Sequence, residues 1–114
     1  MKLELTRLGV PPMPRKDVLD ADGWRQWAYD AASEAAVVRL VAPVTVLVVP
    51  QAADRRGVKP PDAAFDVVRL VLAGLVSAGV LGDPADVVEL TVRRPVVGNQ
   101  SGFTIRLSDA LEPF

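Results

Sequence analysis

The run Val44-Thr45-Val46-Leu47-Val48-Val49, set between Pro43 and Pro50, constrains the fold more than any other stretch. Every position except Leu47 is β-branched. Such side chains lose rotamer freedom in a helix and pack well on a pleated surface. A strand with no polar face is expected at the centre of a sheet, covered on both sides. The remaining segments must then supply strands beside it and helices over it.

Residues 2–8 alternate, with Leu3 and Leu5 against Glu4 and Thr6, and read as a half-buried strand. Residues 10–16 hold three prolines and form a loop. A first helix is predicted from Asp20 or Asp22 to Leu40, with either aspartate as cap. Trp24, Trp27, Ala28, Ala31, Ala35 and Val38 recur at helical spacing, so both tryptophans read as packing residues. Residues 51–61 form a polar loop carrying Arg55, Arg56 and Lys59. A second helix is predicted over residues 62–78, capped by Asp62. It is apolar nearly all round, with one polar stripe of Asp66, Arg69, Ala73 and Ser77, and Gly79 ends it. Asp83 caps a single turn that starts at Pro84. A strand follows at residues 87–94, with Val88, Leu90 and Val92 on one face. Residues 95–101 turn through Gly98-Asn99 into a last strand, where Phe103, Ile105 and Leu107 alternate with polar residues. Residues 108–114 read as a tail. The order β-α-β-α-β-β predicts one two-layer α/β domain over residues 1–114.

The chain has 114 residues, half of them apolar, which suits one globular domain. It contains no cysteine and no histidine, so thiol chemistry, a serine triad and histidine-ligated zinc are excluded. The first segment alternates rather than forming a signal peptide, no run is long enough to span a bilayer, and a cytoplasmic location is the expectation. A net charge of −1 argues against strong nucleic-acid binding but leaves room for a local basic patch. Any metal site would draw on Asp54, Asp62, Asp66, Asp83, Asp86 and Glu89, and converging carboxylates suit the divalent ions of phosphodiester hydrolysis. Several of these also have plain local roles, at caps and in the first turn of a helix.

The stretch from Asp54 to Leu107 resembles the RusA family of Holliday-junction resolvases. The family core runs D-x-D-N-x-x-K, a helix, G-x-x-x-D-D-x-x-V and two strands. Here Gly79-Val80-Leu81-Gly82-Asp83-Pro84-Ala85-Asp86-Val87 keeps the glycine-to-aspartate spacing, and Arg69 stands ten residues before Gly79 in the place of the family's lysine. Asp54-Arg55-Arg56 is similar to the basic loop ahead of the family's first aspartate. The first helix and the Pro11-Pro12 loop extend the likeness over nearly the whole chain. The resemblance implies a RusA-like homodimer in DNA recombination, from a bacterial or phage-infected cell.

The catalytic positions depart from that pattern. In this register the family's first two aspartates fall on Ala63 and Phe65, its asparagine on Asp66, and the second member of its Asp-Asp pair on Pro84. Only the first member remains, as Asp83. Alanine, phenylalanine and proline side chains offer no oxygen to a hard cation. The expectation is a resolvase homologue without its catalytic aspartates, needing no metal cofactor and acting by binding. One reading is a binder of branched or duplex DNA through Arg55, Arg56, Lys59, Arg69, Arg93 and Arg94. A second is a phage or prophage interaction module, a regulator or host-targeting factor, on the same scaffold. A third is a Mg²⁺-dependent junction endonuclease whose site has shifted to Asp62, Asp66 and Asp83, each one residue from a lost position. Small residues on the second helix, Ala73, Gly74, Ser77 and Ala78, are the expected homodimer contact. No membrane partner is expected.

Overall fold

The computed structural model describes residues 1–14, 16–35 and 39–110. Its elements are β1 (Lys2–Leu8), α1 (Ala21–Glu34), β2 (Val44–Ala52), α2 (Phe65–Ser77), β3 (Val87–Val92), β4 (Val96–Val97) and β5 (Gly102–Ser108). The sheet order is β1-β5-β2-β3, and β4 pairs with β2 where β3 has ended. β5 runs antiparallel to both β1 and β2, whereas β3 and β4 run parallel to β2. The last strand therefore does not fold back on β3. It crosses to the other side of β2, so residues 95–101 make a crossover and not a hairpin turn.

The run 44–49 does sit at the centre of the sheet, but only one of its faces is fully covered. Val44, Val46 and Val48 are buried, while Thr45, Leu47 and Val49 are only half-buried. Both helices pack on the same side, against each other as well as the sheet. The opposite face is screened by side chains of the neighbouring strand: Arg106 stands opposite Leu47, and Thr104 opposite Val49. Arg106 also pairs with Glu4 at 3.2 Å, and Thr104 hydrogen-bonds Thr6 at 3.1 Å. The methylenes of a long charged side chain can cover apolar surface while its head stays in water, which lets a fully apolar strand live in a two-layer fold.

Pro50 shapes the far side of β2. The amide of Arg93 donates to the carbonyl of Val48, and that of Gly98 to the carbonyl of Ala52. Even-numbered residues of β2 therefore turn their backbone groups toward β3 and β4. Pro50 is one of them and has no N–H to give. The ladder on this side breaks there, β3 ending opposite Val48 and β4 resuming opposite Gln51. One strand in the sequence thus becomes two.

α1 begins as expected, with Asp20 accepting from the Gly23 amide at 3.0 Å. It ends at Glu34, earlier than Leu40, whose amide instead donates to the Val80 carbonyl at 2.8 Å. Val38, the last member of the expected stripe, lies outside the described residues. Trp24 is 1 % exposed and meets Trp27 and Phe103 edge-to-face, as packing residues do. α2 starts at Phe65 rather than Asp62, because Pro60-Pro61 opens a separate 3-10 turn at Pro61–Ala64. Asp62 lies inside that turn and caps nothing. Gly79 ends the helix at φ +80°, in the left-handed region that suits glycine.

Two further expectations change. A bulge between the β2–β3 pairs Val44/Val87 and Thr45/Glu89 makes Val88 the extra residue. Val88 is 65 % exposed, and it is Val87 and Val92 that pack on the core. Nor do Ser108 and Asp109 belong to a tail. Ser108 closes β5, and the buried Asp109 accepts from the Val41 amide at 2.8 Å and pairs with the terminal ammonium of Met1 at 2.9 Å. Ala110 follows with its amide donating to the Val41 carbonyl at 3.2 Å, and residues 111–114 lie outside the described residues.

Candidate nucleic-acid interface

The six basic residues singled out above are brought together only in part. Asp54 caps the 3-10 turn Arg55–Gly57 by accepting from the amides of Arg56 and Gly57, which fixes the loop that carries Arg55. Arg94 leaves β3 at the break opposite Pro50. Arg55 and Arg94 thereby line one open groove of about 560 Å³, with Val58, Pro95, Val96 and Val97 as its apolar walls. Arg56 projects from the same turn with a 95 % exposed side chain, 3.9 Å from the Asp54 carboxylate.

The other three stand elsewhere. Lys59 donates to the Met13 carbonyl at 3.0 Å and ties the proline loop to the 51–61 segment. Arg69 pairs with Asp66 at 3.0 Å on the exposed stripe of α2. Arg93 lies on the open sheet face, in a groove also lined by Leu47 and Thr91, with Glu89 at the groove's other end. A basic surface built on this chain therefore centres on Arg55 and Arg94, with Arg56 beside them.

The three acidic residues proposed for a shifted metal site each have a separate local setting. Asp62 is exposed in its turn, Asp66 holds Arg69, and Asp83 accepts from the Ala85 amide at 2.7 Å as the cap of the turn Pro84–Asp86. Among the described residues, no three acidic side chains are grouped to hold a metal ion. Of the residues that the sequence resemblance sets in place of aspartates, Ala63 is half-buried, Phe65 is 44 % exposed and Pro84 starts its turn.

The small residues of α2 divide. Gly74 is buried at the crossing with α1, where a Cβ would stand 2.5 Å from the Arg25 carbonyl oxygen and 2.8 Å from the Ala28 Cβ. It is an intramolecular contact and is not available to a second copy. Ala73 and Ala78 are half-buried, and Ser77 is exposed.

Sequence reasoning passed over Arg7. Its guanidinium lies 4.4 Å over the Trp24 ring, and its Nη1 is buried with no hydrogen-bond partner. Strand parity carried the signal, because Arg7 shares the Leu3 and Leu5 face. The attraction between a cation and the ring offsets part of the cost of the unpaired nitrogen. The apolar walls Val96 and Val97 were also passed over, since nothing in the sequence marks the second short strand. No helix among the described residues is long and apolar enough to cross a membrane. The chain matches no known family model, and no curated protein matches it.

Proposed function

We propose that this protein is a non-cleaving nucleic-acid binder on a RusA-like scaffold, engaging the phosphate backbone of branched DNA through the groove of Arg55 and Arg94. The observation that supports this reading is the convergence of those two arginines, far apart in sequence, on one open groove. Guanidinium groups recognise phosphate oxygens through paired N–H donors. The groove offers few charges, and the whole chain is slightly acidic. Binding is therefore weak, directed to the backbone and steeply salt-dependent. The replacement of the family's aspartates by Ala63, Phe65 and Pro84 supports the non-cleaving half of the reading.

Titrating labelled four-way junction, duplex and single-stranded DNA over a salt series tests it. Arg55→Ala with Arg94→Ala is expected to weaken binding and flatten the salt slope by about two, one unit for each lost phosphate contact. Arg69→Ala, whose partner is Asp66, leaves the slope unchanged. A double variant that binds like the wild type removes the groove from the reading.

A second reading takes the same groove as a protein-docking site. The exposed Val96 and Val97, 51 % and 55 % accessible, favour it. The same titration separates the two, because a protein-docking groove leaves all three DNAs unbound.

A further inference from the structure

We infer that the outer edge of β3 is a self-pairing strand, and that two copies of this chain join there antiparallel about a two-fold axis through Thr91. β3 is the edge of the sheet, and β2 is its one partner strand among the described residues. The amide of Arg93 points inward, to the Val48 carbonyl. Successive residues of a strand alternate the side to which they turn their backbone groups. The N–H and C=O of Leu90 and Val92 therefore face out from the sheet, and no described hydrogen bond takes them up. An edge of this kind is a template for another strand unless it is blunted.

Parity and charge together select one register. Antiparallel partners that exchange hydrogen bonds must both turn their backbone groups outward, so Leu90 and Val92 can pair only with outward-facing residues of the second copy. With Leu90 opposite Val92, Thr91 faces its own counterpart on the axis. Glu89 then stands opposite Arg93, and the symmetry repeats that pair. Moving the register by one allowed step in either direction sets Glu89 against Thr91 or Pro95 and removes both pairs. Within one chain Glu89 and Arg93 are four residues apart along a strand, about 13 Å, too far to meet. Both are exposed, and neither has an ion pair among the described residues. A strand that carries an unpaired acid and an unpaired base at self-complementary positions is matched by a second copy of itself.

The other face of β3 agrees. Among the elements of the helix layer it meets chiefly the turn Pro61–Ala64, and Leu90 is left 39 % exposed on the face where Val92 packs. In the chosen register Leu90 gains the partner's Val92 as a cross-strand neighbour, and cross-strand apolar pairs are the unit of sheet stabilisation. The bulge at Val88 ends the regular edge on one side, and Pro95 ends it on the other, so the shared ladder is short. Self-association through it is reversible and weakened by salt. This inference does not rest on nucleic-acid binding.

Sedimentation of the full chain from micromolar to millimolar concentration reads the mass, and circular dichroism confirms that each variant is folded. The wild type is expected to move from one chain toward two as concentration rises. Glu89→Arg and Arg93→Glu each place like charges across the axis twice, and each should raise the dimer dissociation constant by at least about tenfold. The double exchange Glu89→Arg with Arg93→Glu restores the complement and the dimer. Mixing the two single variants in equal amounts should also give a dimer, because the two positive side chains on one copy's edge then face the two negative ones on the other's. A wild type that stays monomeric throughout, single variants that dimerise as well as the wild type, or a mixture that does not associate would each overturn the inference.

Discussion

Gly74 shows how one missing side chain sets the distance between two helices. Its place is occupied by the Arg25 carbonyl and the Ala28 methyl of α1. Gly74→Ala gains about 1 kcal/mol in helix propensity but must push the helix backbones apart, and overpacking costs about 1–3 kcal/mol. The net expectation is destabilisation, read as a lower midpoint in urea at an unchanged slope. Ser77→Ala, one turn on and exposed, should leave the midpoint unchanged or raise it slightly. In sequence both belong to the same expected homodimer contact, and although Ser77 falls on the polar stripe and Gly74 does not, nothing there states that Gly74 is held against another helix. That packing partner lies far away along the chain.

β2 is where local pattern and tertiary context part company. Its sequence predicts a strand buried on two faces, and its position at the centre of the sheet follows. The two-layer arrangement was also legible in the order of the elements, yet it conflicts with full cover on both sides. The conflict resolves through Arg106 and Thr104 on β5, whose placement opposite Leu47 and Val49 depends on a register that no local pattern states. Adjacent valines of one strand should therefore respond differently to truncation. Val48→Ala removes buried methyl groups and is expected to cost about 2–3 kcal/mol, whereas Val49→Ala on the screened face costs about 1 kcal/mol or less. Equal losses in chemical denaturation would mean that the open face is covered after all. The candidate groove was half legible for a related reason. Arg55 and Arg94 stand out as basic residues, but their meeting depends on the break that Pro50 makes in the ladder.

At the scale of the whole molecule, the proposed RusA-like reading, with Ala63, Phe65 and Pro84 where that resemblance expects aspartates, predicts that a labelled four-way junction stays intact with Mg²⁺ or Mn²⁺. Two-ion hydrolysis needs several oxygen ligands to fix the ions and polarise the attacking water. Metal-dependent cleavage by the wild type that disappears in Asp62→Asn/Asp66→Asn/Asp83→Asn would establish a shifted site instead. The sheet order has another outcome, in time rather than in space. Among the described residues β1 finds its partner strand in β5, Lys2 opposite Ser108 and Leu8 opposite Gly102. At about 5–20 residues per second on a ribosome, β1 waits roughly 5–20 s for the strand that receives it. Throughout that interval Leu3 and Leu5 have no sheet to join, while α1, β2 and α2 can already assemble. β1 is thus made well before the strand that receives it, and is seated in the fold after elements that follow it in the chain.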